Sequence, residues 1–281
     1  MTARPDLHEA NRQSWNAATV AHNSHKGDQA SFLRRGGSTL FPEEIALLGD
    51  LEGQDVVHLQ CNAGQDSLSL VQRGARVTGV DISDEAIAFA RALSKDSGLS
   101  ASFERADLYD WLASAGRRFD VVFSSYGALC WLSDLAAWAN GIASVLRPGG
   151  RFVLMEFHPV AMVFGPDWRF AYDYFDRSPM AEPGVGDYVA LSGDGLTPDG
   201  FKTGVVDFRN PHPSFEFQWG VGDVVTALAG AGLRIARLAE YPYANGWRPF
   251  EGMRDLGGRR MAAPEGMPRI PLMYGLVATG D

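Results

Sequence analysis

Between residues 51 and 157 short, β-branched apolar runs alternate with stretches of helical periodicity, and no other feature restricts the fold as much. The runs 55–59 (DVVHL), 76–80 (RVTGV), 102–105 (SFER), 119–124 (FDVVFS) and 151–157 (RFVLMEF) read as strands. Helical patterns fill the gaps at about 65–73, from Ser83 to Gly98, and at 135–146, with a turn expected at Arg147-Pro-Gly-Gly150. Ser83 has N-cap chemistry, Asp84 and Glu85 complement the helix dipole, and Ile87, Ala90 and Leu93 form an inward stripe. Gly74 and Gly98 stand where helices stop. A strand–helix alternation of this length predicts a doubly wound α/β sheet with helices on both faces. After residue 220 the pattern resumes as a helix at about 222–231, a strand near 233–240 and a last apolar run, 270–279.

The interruption is itself informative. From Phe164 to Trp219 the chain carries twelve aromatic residues, Trp168 and Tyr172 among them, interleaved with Gly, Pro and Asp. Two readings stand: the rings form a small core of their own, or they make a lid over a ligand.

Composition narrows the partners. Lys and Arg number 25 against 34 Asp and Glu, a net charge of −9, so there is no bulk positive field to hold a phosphate backbone and nucleic acid is not expected. Cys61 and Cys130 are too few and too isolated for a disulfide framework or a zinc site of CxxC type, which leaves no metal call and suggests a reducing compartment. The polar start MTARPDLHEANRQSW and the lack of a long apolar run lead us to expect a cytoplasmic protein with no membrane partner.

Open α/β sheets bind ligands at the carboxyl ends of their central strands. There, VVHLQCNAGQD (56–66) keeps Gly64 but has Gln60 and Asn62 in place of further glycines, so the GxGxxG fingerprint is absent; so is any P-loop sequence. Asp81 ends the second strand, where a carboxylate accepts hydrogen bonds from ribose hydroxyls; alternatively it is a helix N-terminal carboxylate beside the Ser83 cap. Asp107 is placed to take the exocyclic amine of an adenine while the Leu108 amide reads a ring nitrogen, or it only caps the next helix. Ser124 and Tyr126 would line the floor beside the reacting group.

The succession VVHLQCNAGQD, VTGVDIS, ERADLYDW, FDVVFSSYGALCW and LRPGGRFVLMEFHP resembles, in register over residues 51–160, the motifs of class I S-adenosylmethionine-dependent methyltransferases. FEFQWGVGDVVTALAGAGLRIARLAEYPY and PLMYGLVAT resemble that family's closing helix, sixth strand and antiparallel seventh strand. A typical member has an acidic residue where His58 stands and glycines at positions 60 and 62; a small-molecule subset reading HLQCxxGQD is similar to this chain there. The resemblance implies a mostly parallel, seven-stranded, Rossmann-like sheet and S-adenosylmethionine as cofactor, surrounded by Gln60, Gly64, Gln65, Asp81, Ile82, Asp107, Leu108 and Ser124, with Asp66 nearby. It also implies that residues 1–50 form a helical cover bringing Trp15, His22 or Lys26 to the cofactor or substrate. Residues 51–157 are then the cofactor-binding core, 158–220 a substrate lid and 221–281 the completion of the sheet. S-adenosylmethionine carries no pyrophosphate, so its turn needs less glycine, and Asn is the residue that best tolerates a left-handed backbone after Gly.

His158 follows the fifth strand and is a candidate base at neutral pH; Tyr126 competes for that role, and Glu156 orients one or the other. The expected activity is methyl transfer to a nitrogen or oxygen of a small aromatic or heterocyclic metabolite, plausibly in secondary metabolism, with His22, Tyr126, His158, Trp168 and Tyr172 around the substrate. The alternatives are a nucleotide-dependent oxidoreductase, disfavoured by the missing GxGxxG, and a non-catalytic S-adenosylmethionine-binding protein.

Overall fold

The computed structural model describes residues 3–280. Its centre is one seven-stranded sheet: β1 (Asp55–Leu59), β2 (Arg76–Asp81), β3 (Ser102–Arg105), β4 (Phe119–Ser125), β5 (Leu146–Phe157), β6 (Arg234–Tyr241) and β7 (Met273–Thr279). The spatial order is β3-β2-β1-β4-β5-β7-β6. Pairs among β1 to β5 are parallel, and β7 runs antiparallel to both β5 and β6. The doubly wound class with an antiparallel last strand is therefore the fold.

Strand alternation sorts the core into two layers. Val57, Leu59, Val122, Phe152 and Leu154 pack with Trp111, Trp138, Ile142 and Leu228 on one face. Their neighbours Val56, Val121, Phe123, Val153 and Met155 pack with Leu47, Leu48 and Leu70 on the other. The expected turn at 147–150 is a bulge inside β5 and not a break before it: Phe119 pairs with Leu146, and Val121 with Arg151. Gly149, at φ +73°, makes the bulge, and Arg147 pins it with 2.6 Å ion pairs to Asp55 and Asp120.

Two excursions frame the carboxyl edge of the sheet. Residues 158–220 contain an antiparallel ribbon of Met180–Glu182 with Ser214–Glu216 and a short helix, Tyr188–Ser192. The N-terminal helix α1 (Pro5–Ser24) lies against this ribbon, Asn11 donating to the Phe215 carbonyl at 2.9 Å and accepting the Phe215 amide at 2.7 Å. The second excursion separates β6 from β7. There Tyr243–Asn245, Arg254–Asp255 and Arg260–Ala262 form their own three-stranded sheet, whereas the sequence reading assigns this stretch to completion of the core. Among the described residues no helix is long and apolar enough to cross a membrane.

Candidate active site

A cavity of about 390 Å³ opens at the carboxyl ends of β1, β2 and β4, roofed by α1 and the two excursions. Its volume falls in the range of small-molecule sites, roughly 300–1,000 Å³. The loop after β1 reaches it through a left-handed backbone at three positions: Gln60 (φ +54°), Asn62 (φ +48°) and Gly64 (φ +81°). Asn62 and Gln60 thus occupy the conformation for which related turns use glycine. At Gly64 a Cβ would meet the Ala90 Cβ at 2.7 Å and the Phe103 ring at 2.9 Å, so this glycine serves loop-to-helix packing and does not line the cavity.

Asp81 holds that loop. Its two oxygens accept the Asn62 and Ser83 amides, each at 2.8 Å, and each oxygen keeps a lone pair for a ligand. The carboxylate therefore fastens the turn to the start of the next helix and leaves acceptor capacity on the cavity side. Burial pushes it up to about 6, against the pull of the amides. At the end of β3 Asp107 likewise does two things: it caps the next helix through the Tyr109 amide at 2.8 Å and meets His8 Nδ1 at 2.7 Å. His8 stacks on Tyr109, their centroids 5.2 Å apart.

Beyond β4 the backbone is held by Glu156. Its buried carboxylate accepts the amides of Gly127, Ala128 at 2.8 Å, Leu129 at 3.0 Å and Phe157 at 2.7 Å. Tyr126, at the head of this loop, points into the cavity and accepts a hydrogen bond from Asn245 Nδ2 at 2.7 Å. Burial raises the Tyr126 phenol well above its ordinary range. Near it lie Glu44, whose carboxyl burial also pushes well up, and Arg259, stacked 4.0 Å above the Phe41 ring. Lys26 faces the same space and is pulled down to about 8 by burial, with Asp199 and Asp66 acting the other way.

Of the residues singled out from sequence, Trp15, His22, Lys26, Gln60, Gln65, Asp66, Asp81, Ile82, Asp107, Leu108 and Tyr126 line this one cavity. Gln65 is tied to the N-terminal cover by a 2.6 Å bond from its Nε2 to Gln29 Oε1. Four side chains are placed elsewhere than the sequence reading has them. Ser124 is fully buried behind the wall, and it is Ser125 that lines the cavity and bonds His58 Nε2 at 3.2 Å. His158 faces the sheet edge: its Nδ1 accepts the Val160 amide at 3.1 Å, so its Nε2–H donates to Glu240 at 2.9 Å, and neither nitrogen is left to take a proton. Trp168 packs on Phe250 with centroids 4.3 Å apart and donates to the Glu251 carbonyl at 2.8 Å, outside the cavity. Tyr172 lines a second, adjoining chamber. The aromatic segment is thus divided: Tyr188 roofs the cavity, Trp168 belongs to a small core with Phe164 and Phe250, and Phe170 and Phe175 are exposed.

Sequence reasoning passed over Glu44, Asn245, Trp247, Arg259 and Glu216, all of which line the cavity. The aromatic run 241–250 (YPYANGWRPF) resembles the lid in composition and was the available signal for Trp247. Nothing local marks Glu44 or Arg259.

The sheet order, the antiparallel last strand and a carboxylate at the end of β2 define an open α/β protein, a class whose ligand sites lie at the switch point where this cavity opens. A family profile described as "Methyltransferase domain" matches residues 56–150. A ubiquinone biosynthesis O-methyltransferase of Stutzerimonas stutzeri is 31% identical over 116 residues, 41% of this chain and 50% of that protein. A ubiquinone/menaquinone biosynthesis C-methyltransferase of Bdellovibrio bacteriovorus is 30% identical over 188 residues, 58% of this chain and 77% of that protein. The chain spans about half the length of most of the curated relatives it matches. A solved S-adenosylmethionine-dependent methyltransferase from Mesorhizobium loti shares the fold, with a TM-score of 0.58 and 23% identity, over 87% of this chain and 99% of that one. The chain belongs to the class I S-adenosylmethionine-dependent methyltransferases.

Proposed function

We propose that the protein transfers a methyl group from S-adenosylmethionine to a nitrogen or oxygen of a small aromatic or heterocyclic metabolite. One observation carries this reading: a single cavity joins the acceptors Asp81 and Asp107 at one end to the rings of Tyr126, Phe157 and Trp247 at the other.

The residues present suit the cofactor. The free lone pairs of Asp81 match a ribose diol, and Asp107 with the Leu108 amide matches an adenine edge. Gln60 Oε1 and His22 Nδ1 are buried acceptors with no partner among the described residues, as a site built for hydroxyl or amine donors requires. Since His22 Nε2 lies 2.9 Å from the Gly186 carbonyl and must carry the proton, Nδ1 is a bare lone pair. Burial holds this imidazole down, to about 4, so it stays neutral.

When bound, S-adenosylmethionine supplies an electrophilic methyl carbon on a positively charged sulfur. The protein's share is alignment and exclusion of water, which an in-line displacement needs most. Asp81, Ile82, Asp107 and Leu108 hold the nucleoside; Trp15 and His22 close over it from α1. Trp15 packs edge-on to Trp131, centroids 5.4 Å apart, which anchors the closure. Tyr126, its hydroxyl positioned by Asn245, is the hydrogen-bonding group that orients the acceptor. With both His158 nitrogens engaged, Tyr126 carries this role alone of the two candidates.

The test is calorimetry with S-adenosylhomocysteine followed by a transfer assay against a panel of phenols and aromatic amines. Binding at micromolar concentration and methylation of at least one acceptor are expected. No binding at high micromolar concentration overturns the cofactor assignment; binding with no transfer to any acceptor overturns the catalytic one.

A further inference from the structure

A second chamber of about 250 Å³ adjoins the first and shares with it a wall of Gly127, Cys130, Phe157, Met162, Glu216 and Trp247. Its chemistry is unlike that of the first. No Lys, Arg or His lines it, whereas Glu156, Glu182 and Glu216 do. Glu156 is consumed by the four amides of the loop after β4. The other two have no cationic partner: among the described residues neither Glu182 nor Glu216 is in an ion pair, and Arg177, three residues before the ribbon, is paired with Asp223 at 2.6 Å.

The ribbon places these two carboxylates together. Met180 pairs with Glu216 and Glu182 with Ser214, so by strand alternation 180, 182, 214 and 216 share one face, and Glu182 and Glu216 are diagonal neighbours on it. Burial and the charge of Glu182 push Glu216 up to about 7, as an unpaired buried carboxylate should be.

One further acceptor faces the chamber without a partner: Tyr274 is 1% exposed and its hydroxyl is unpartnered. A buried polar atom left unsatisfied costs about 1–3 kcal/mol, so such a hydroxyl beside two unpaired carboxylates marks a place built for a polar ligand group. The remaining walls are apolar for the most part and include the rings of Phe217, Trp219, Trp247 and Phe250.

We propose that this chamber binds the protonated amine of the acceptor molecule, and that the substrates are small amines carrying an apolar or aromatic body. The inference rests on the methyltransferase reading above. An ammonium group has three donors and no acceptor. Glu182, Glu216 and the Tyr274 hydroxyl give it three acceptors, and the rings add cation–π attraction. A neutral acceptor would instead have to bury two carboxylates with nothing to pair them. Because Glu216 stands on the wall common to both cavities, an amine held there keeps the rest of the molecule within reach of Tyr126.

The experiment titrates the wild-type protein, saturated with S-adenosylhomocysteine, with phenethylamine and with its neutral analogue 2-phenylethanol, and repeats both with Glu182→Gln/Glu216→Gln. Phenethylamine should bind the wild type at least about tenfold more tightly than the alcohol, the equivalent of one desolvated charge pair, and the variant should lose that preference. Equal binding of the two probes by the wild type overturns the inference whether or not the variant folds, and leaves the methyltransferase reading standing. So does a preference that survives in a folded variant. Failure of S-adenosylhomocysteine to bind at the saturation step overturns the methyltransferase reading and this inference with it.

Discussion

Asn245 donates to the Tyr126 hydroxyl at 2.7 Å across 119 residues of sequence, joining the excursion between β6 and β7 to the loop that leaves β4. Asn245 is itself buried, and the same amide reaches Glu43 at 3.3 Å. The orientation of the Tyr126 ring is therefore set by a segment that plays no part in the core sheet.

Tyr126→Phe removes this hydroxyl and keeps the ring. The affinity for S-adenosylhomocysteine should stay within about twofold, while kcat should fall by roughly 100-fold, the lower end of the range for a group that handles a proton. Steady-state kinetics with calorimetry in parallel separates the two. Unchanged kcat would show that the acceptor is oriented by something else.

Asp81→Asn should weaken S-adenosylhomocysteine by about tenfold or more, since one bond to a charged group is worth about 1.5–3 kcal/mol. The acceptor form is the carboxylate, and its folded value is about 6. Wild-type affinity should therefore decline as pH is lowered through about 6, and the variant should not show this step. Stability without ligand has the opposite sign: a carboxyl raised on folding contributes most when protonated, so its contribution is lost as pH rises toward and through about 6. Calorimetry at pH 5 and 7.5 checks the first statement and thermal melts the second.

His158→Asn should leave turnover near the wild-type level and lower stability by about 1–3 kcal/mol, because the Val160 amide loses its acceptor and the packing of a buried ring is lost, while the exposed Glu240 turns to water. Denaturant melts and kcat measured on the same sample decide this. A large loss of kcat in a stably folded variant would return His158 to the chemistry.

Glu156→Gln should be the most damaging of these changes. A carboxylate that accepts four amides is replaced by a group with two donors of its own, which sets N–H against N–H in the loop from Gly127 to Leu129. A loss of about 3–5 kcal/mol in denaturant melts is expected, the scale for breaking a buried charged network, together with loss of transfer activity. Retention of both would mean that the loop is held by its own backbone.

Much of the site was legible because it lies at strand ends. Asp81 is the last residue of β2 and Asp107 comes two residues after β3, and a period of two, closed by a cap or a glycine, marks where such strands stop. The left-handed Asn62 was legible too, since Asn there stands in for a glycine in a turn between strand and helix, whereas the left-handed Gln60 carried no such signal. Ser124 shows how narrow the margin is: strand parity turns one serine into the wall and its neighbour Ser125 into the cavity. The choice depends on where the ladder with β5 ends, which one strand's sequence does not contain.

The sequence by itself determined the order of strands and helices in the sheet and the strand-end residues Gln60, Asp81 and Asp107 that line the cavity, because these follow from periodicity and turn chemistry within a few residues. Only the tertiary structure decided the acceptor end. His158 is drawn to Glu240, Tyr126 to Asn245, and Glu182 beside Glu216, in each case by a partner brought near through folding and distant along the chain. Short-range pattern carries no record of such pairs, since hydrogen bonds and ion pairs depend on distance in space and are indifferent to separation in sequence.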